Sequence, residues 1–237
     1  MLPSKVTLCD ANGNPLVIQA GASGLFIAQA GINPDGNRYA SVAAAAAAAK
    51  ASGPGTELLI IGDITAEATA IDITGIYRIR GIGALPPTLI LPAGASLVNT
   101  YNETRISSVK ISWRGTTACM AFTSVGAVYL EDFAEITTTT AATAGFIESQ
   151  SGGDVGIFLG CRTKIQGSAS HQVVKISGTG ALEVFAGPAC TIADNTITGG
   201  GAGAATIIDE TAGLTAGGGA ASISHSQTGL NTPTFVP

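Results

Sequence analysis

Residues 38–62 read RYASVAAAAAAAKASGPGTELLIIG. Ala is the strongest helix former, so the run from Tyr39 to Ser52 predicts one helix, with Ser41–Ala51 as its body. Gly53-Pro54-Gly55 stops it, and the apolar strand Leu58–Ile61 follows. After this block come many short β-type segments set between Gly, Ala and Thr, and no second helix pattern. One helix followed by many short strands describes a β-solenoid. The helix covers strand edges that would otherwise be open at one end of the stack. Its faces are mostly methyl groups, which permit close approach to a sheet end.

The segments beyond residue 62 repeat loosely. Val128-Tyr129-Leu130 is followed by Ala134-Glu135-Ile136, Ile157-Phe158-Leu159 by Thr163-Lys164-Ile165, and Val184-Phe185-Ala186 by Cys190-Thr191-Ile192. The starts differ by 29 residues (157 − 128) and 27 residues (184 − 157). That spacing suits a coil of three short strands and their turns. Within a coil, apolar residues alternate inward, and stacking turns inward Ile and Val into ladders. Other segments of the same type are Ala70–Ile73, Tyr77–Ile82, Thr88–Leu91, Ile106–Trp113, Val173–Ser177 and Ala205–Asp209. Gly and Asn suit the sharp corners. The irregular repeat excludes fixed-motif calcium-binding nonapeptide solenoids.

Composition narrows the function classes. The chain has 237 residues, enough for one sizeable β domain, and a formal net charge of −5. Its 11 Lys and Arg are scattered, whereas phosphate binding needs them clustered; no nucleic-acid partner is expected. Abundant Ile, Val and Thr argue against disorder. No apolar run approaches the roughly 20 residues of a bilayer span, so no membrane partner is expected. Charged residues are only 11%, which suits faces packed on sister chains. Cys9, Cys119, Cys161 and Cys190 lie far apart with no CxxC pair. They read as buried free thiols, not as a metal site. The opening MLPSKVTLCDANGNPL lacks a signal-peptide pattern, which predicts assembly in a reducing cytoplasm or exit from it by a route other than secretion.

Residues 1–36 read as a separate unit. Val6–Cys9, the turn Asn12-Gly13-Asn14-Pro15 and Leu16–Gln19 form a predicted hairpin. Gly21–Gly36 reads as a linker. The expected division is an attachment arm over 1–36 and a solenoid with its capping helix over 37–237. The Gly- and Ala-rich stretch Gly199–Gly219 reads either as a flexible loop or as thin final coils against neighbouring chains.

The order of helix, Gly-Pro-Gly-Thr, "ELLIIGDIT" and β coils resembles the amino-terminal signature of pectate-lyase-like phage tailspike and virion proteins. The matched block is residues 38–62, and the coil pattern covers most of the rest. The resemblance implies an all-β chain, a right-handed parallel β-helix closed by one amino-terminal helix, and assembly as a homotrimer.

An active site on such a scaffold needs carboxylates held across a sugar, or carboxylates beside a base. Glu131, Asp132 and Glu135 form one acidic cluster, with Asp154 opening the next coil. Asp209 and Glu210 form a second pair. Arg114, Arg162 and Lys164 are the available bases, and nothing in the sequence places them beside the carboxylates. The bland reading of each cluster is a solvated corner. Trp113 reads as core or interface, Tyr77, Tyr101 and Tyr129 are spread out, and His171 and His225 are isolated. The glycine runs 199–201 and 217–219 lack the Lys-Ser/Thr of a phosphate loop. The sequence therefore predicts no catalytic, cofactor-binding or metal residues and no cofactor.

The expectation is a non-enzymatic phage virion protein, a trimeric capsid decoration or cement protein. It would attach to the major capsid protein or another virion protein through residues 1–36. The alternative is a tailspike or tail fibre protein that binds or cleaves host polysaccharide. A bacterial surface adhesin is a third reading.

Overall fold

The computed structural model describes residues 24–67, 70–99, 102–114, 117–137, 145–150, 154–160 and 162–166, and beyond them a series of strands ending at Gln227. The strands β1 (Leu25–Gln29) and β2 (Arg38–Tyr39) come first, followed by α1 (Val42–Ser52). Three-strand coils then succeed one another. The first holds β3 (Thr56–Ile61), β4 (Ile64–Thr65) and β5 (Ala70–Asp72), and the second β6 (Ile76–Ile82), β7 (Thr88–Leu91) and β8 (Ser96–Asn99). The third holds β9 (Asn102–Ser107), β10 (Lys110–Trp113) and β11 (Met120–Phe122), and the fourth β12 (Gly126–Glu131), β13 (Glu135–Thr137) and β14 (Gly145–Ser149). The fifth holds β15 (Val155–Leu159), β16 (Lys164–Gln166) and β17 (Gln172–Ile176), and the sixth β18 (Leu182–Ala186), β19 (Thr191–Ile192) and β20 (Thr196–Gly199). The strands β21 (Ala204–Asp209), β22 (Thr215–Ala216) and β23 (Ser222–Gln227) continue the stack.

Each strand lies parallel to its counterpart one coil away. The result is a parallel β-helix with a 10-stranded, a 6-stranded and a 7-stranded sheet as its faces. We call these the long, second and third sheets. The expected register holds residue for residue: Val128 pairs with Ile157 and Ile157 with Val184, while Glu135 pairs with Lys164 and Lys164 with Thr191.

Alternation supplies the core. In the long sheet Phe26, Leu58, Ile79, Ile106, Leu130 and Leu159 are partners in register and all buried. In the second sheet Leu89, Ile111, Ile136 and Ile165 form the matching ladder. In the third, Ile71, Leu97, Met120 and Ile147 do the same. The steps along the first ladder are 21 residues (79 − 58), 27 (106 − 79), 24 (130 − 106) and 29 (159 − 130). Corner insertions absorb these differences while the strands keep register, which is why the sequence repeat looks irregular.

Helix α1 closes the amino end. Ser41 caps it, its Oγ accepting from the Ala44 N–H at 3.0 Å, and Gly53 ends it at φ 109°. Val42, Ala45, Ala46 and Ala49 are buried against the first strands. The helix is shorter than the sequence suggested, because Tyr39 belongs to β2 and Ser41 is the cap. The linker expected over 21–36 also needs correction. Within it, β1 pairs with β3 along its whole length, Leu25 to Gln29 against Glu57 to Ile61. The long sheet thus begins ahead of the helix, inside the segment assigned to the arm. The predicted hairpin over Val6–Gln19 lies outside the described residues.

Two more readings change. Ile106–Trp113 is two strands, broken at Ser108, whose φ of 53° turns the corner into the second sheet. The same corner carries Gly62 (φ 68°), Asp132 (φ 39°), Phe133 (φ 65°) and Arg162 (φ 62°) on other coils. Left-handed backbone at this corner is therefore met mostly by residues other than Gly. In the stretch 199–219, β21 and β22 extend the sheets, so the described part continues the coil stack.

Candidate functional site

Glu131, Asp132 and Glu135 lie close together on the fourth coil, but each is turned to a different cation; Glu148 of the same coil is buried in β14, on the third sheet. Glu131 ends β12 and accepts from Arg105 Nη1 at 2.5 Å; Arg105 lies one coil earlier. Asp132, on the corner, pairs with Arg162 at 3.3 Å one coil later. Glu135 opens β13 between two lysines in register. Lys110 Nζ lies 3.6 Å from its Oε2 and Lys164 Nζ 3.4 Å from its Oε1. Arg162 and Lys164 are thus beside carboxylates, a placement the sequence did not give. Arg114 is exposed at the end of the second sheet.

Asp154 does not join the cluster. It precedes β15, and its carbonyl accepts from the Gly126 N–H at the opposite end of β12 from Glu131. Five residues of strand (131 − 126), roughly 16 Å, separate the two ends. Asp209 ends β21 in register with Ala186 and Gln227, and His225 of β23 pairs with Ile207 of β21. Glu210, His171 and Tyr101 lie outside the described residues.

The tyrosines are less scattered than the sequence suggested. A bulge between Thr56 and Glu57 in the β3–β6 register turns Tyr77 outward beside Arg78. Arg105 Nε donates to the Tyr77 hydroxyl at 3.1 Å, and Glu103 holds the guanidinium at 2.9 Å. The guanidinium lies 4.2 Å from the Tyr129 ring centre on one coil step. Phe158 stacks on Tyr129 from the next coil, with centroids 4.4 Å apart and planes 6° apart. Phe185 follows in register. Gly156 makes room for this column, since a Cβ there would come within 3.0 Å of the Phe158 ring.

This stack has a chemical consequence. A sugar platform needs a free ring face, whereas Tyr129 is covered by Phe158 and by the Arg105 guanidinium. Burial, followed by the carboxylate of Glu103, raises the Tyr129 hydroxyl above its ordinary pKa; Arg105 opposes this and Glu131 adds to it. Partial burial alone would lower Arg105. The Tyr77 hydroxyl and the Glu131 and Glu103 carboxylates outweigh it and hold the guanidinium more firmly protonated.

Trp113 belongs to the core. It is fully buried and packs on Phe146 with centroids 5.2 Å apart. Cys119 is a free buried thiol whose pKa burial pushes up, so it is poorly nucleophilic. A cleft of about 570 Å³ between α1 and β5 is walled by Ala43, Ala47 and Ala51 and crossed by the Lys50–Asp72 ion pair. Its polar complement is that one pair, already closed on itself. Burial would raise Asp72, but hydrogen bonds from Lys50 and Thr74 prevail and lower it. Among the described residues no three His, Cys, Asp or Glu side chains converge as a metal site, and no helix is long and apolar enough to cross a membrane.

Comparison of the chain with protein families, with characterised proteins and with solved structures finds no match in any of the three.

Proposed function

We propose that this chain is a non-enzymatic structural protein of a phage virion, a homotrimeric decoration or cement protein fixed to the capsid surface through the part of residues 1–36 that precedes β1. One observation carries the non-enzymatic part. Glu131, Asp132 and Glu135 are each paired with cations on adjacent coils, and the best-placed aromatic ring is covered on both faces. Charge and aromatic area are spent on holding coil to coil, and that makes a stiff rod. Hydrolysis instead needs two carboxylates facing each other across a sugar, with one free to hold a proton. The virion part rests on the likeness of residues 38–62 to phage β-helix proteins and on the low charge of the chain.

The test is location and copy number. Gold-labelled antibody on purified particles, with quantitative mass spectrometry against the major capsid protein, should find hundreds of copies on the head. A few copies at the tail would replace decoration with the tailspike alternative. Absence from particles would overturn both.

A further inference from the structure

We infer that the outer face of the long sheet, with its two bordering corners, is the surface on which a second copy of this chain docks. The inference rests on the homotrimer reading above and assigns the surface that reading leaves open.

Exposed apolar side chains give the first observation. Among the described residues the exposed large hydrophobics are Tyr77 at 42%, Leu85 at 81%, Val125 at 53% and Phe133 at 52%. Tyr77 and Val125 lie where the chain enters the long sheet, on the second and fourth coils. Leu85 and Phe133 lie where it leaves, on the same two coils. Only the long sheet is bordered by both corners. The two pairs frame it, two coil steps apart, about 9.6 Å at a strand spacing of about 4.8 Å. Phe133 is displayed at some expense, since a bulky residue at φ 65° is strained. Arg162 covers its ring at 4.6 Å and leaves it half exposed.

Composition is the second observation. Described outward residues of this face include Arg78, Arg80, Arg105, Tyr129 and Phe158 and no lysine. The second sheet carries Lys110 and Lys164. Protein interfaces are enriched in aromatics and Arg and depleted in Lys. Ala127 and Gly156, adjacent in register, leave low ground beside the aromatic column where another chain can approach closely.

Charge identifies the occupant. The described outward charges of the face are Glu57, Glu103 and Glu131 against Arg38, Arg78, Arg80 and Arg105, three acids and four bases with a sum of +1. The chain as a whole carries −5. Two copies repel over most of their surface but little here, where Glu57 pairs with Arg80, and Glu103 and Glu131 with Arg105, within each chain. A strongly basic or acidic partner would find no complementary field on this face.

The experiment compares exposed-residue variants of the full chain by sedimentation velocity across micromolar concentrations, with circular dichroism to confirm the fold. Leu85→Glu/Phe133→Glu, and independently Val125→Lys, should weaken self-association at least tenfold, about 1.4 kcal/mol. Thr65→Glu on the second sheet and Ala70→Glu on the third, both exposed, should associate like the parent. An oligomer that ignores the long-sheet variants but dissociates with Thr65→Glu or Ala70→Glu overturns the assignment and spares the homotrimer reading. A parent chain that stays monomeric overturns both.

Discussion

Glu135 and Lys164 face each other in register on neighbouring coils, and their charges meet at 3.4 Å. Lys110 approaches the same carboxylate from the coil before, so one acid links three successive coils. The Glu135 side chain is 19% exposed and the lysines 48% and 42%, so water screens both pairs. Glu135→Ala should cost about 0.5–1 kcal/mol, the upper part of the range for exposed ion pairs. Glu135→Lys, which puts three like charges in one ladder, should cost more. Urea denaturation at low and high salt reads both, and salt should shrink the difference.

Trp113 tests the core. Its ring is fully buried on Phe146, and Trp113→Ala should destabilise by about 3–5 kcal/mol. A loss below 1 kcal/mol in chemical denaturation would mean that the ring is not enclosed.

Gly81 is required by proximity. A Cβ there would sit 1.9 Å from the Ser108 carbonyl and 2.6 Å from the Pro87 ring. The first contact is backbone and cannot swing aside. Gly81→Ala should force the second and third coils apart and cost about 1–3 kcal/mol or more, measured by thermal unfolding against Gly94→Ala. Gly94 has open space but φ 82°, so that control isolates backbone strain from collision.

Tyr129 should titrate late. Its folded pKa is raised above the unfolded value of about 10. The proton is therefore held more tightly in the folded state. The stability this contributes is complete below the unfolded pKa and is lost as pH rises through the folded one. Ultraviolet difference titration should show a tyrosine component ionising above the ordinary range, and Tyr129→Phe should remove it.

Much of this was legible because stacking copies register. Setting Val128-Tyr129-Leu130 over Ile157-Phe158-Leu159 fixes the inward ladder. The same alignment already places Tyr129 over Phe158 and Glu135 over Lys164. The outward half of that signal went unused, so the aromatic column and the acid–lysine ladder were missed. Arg105 is harder, because its partners Tyr77 and Glu131 are 28 and 26 residues away and Arg105 and Tyr77 lie outside the aligned coils. The third sheet is legible only in part, through Ala70–Ile73 and Val173–Ser177, which match β5 and β17. Met120–Phe122 is buried at every position and Ser96–Asn99 mixes polar and apolar residues, so neither alternates. Leu25–Gln29 passed for linker because it is five residues set among glycines, and its partner, β3, comes only after the helix.

The central claim is that Glu131, Asp132 and Glu135 bind coil to coil and do no chemistry. Incubation of the purified protein with bacterial surface polysaccharide, followed by measurement of new reducing ends, tests it most directly. The account predicts no increase over buffer. New reducing ends that disappear in Glu131→Gln or Glu135→Gln, with the β-rich circular dichroism spectrum retained, would contradict it.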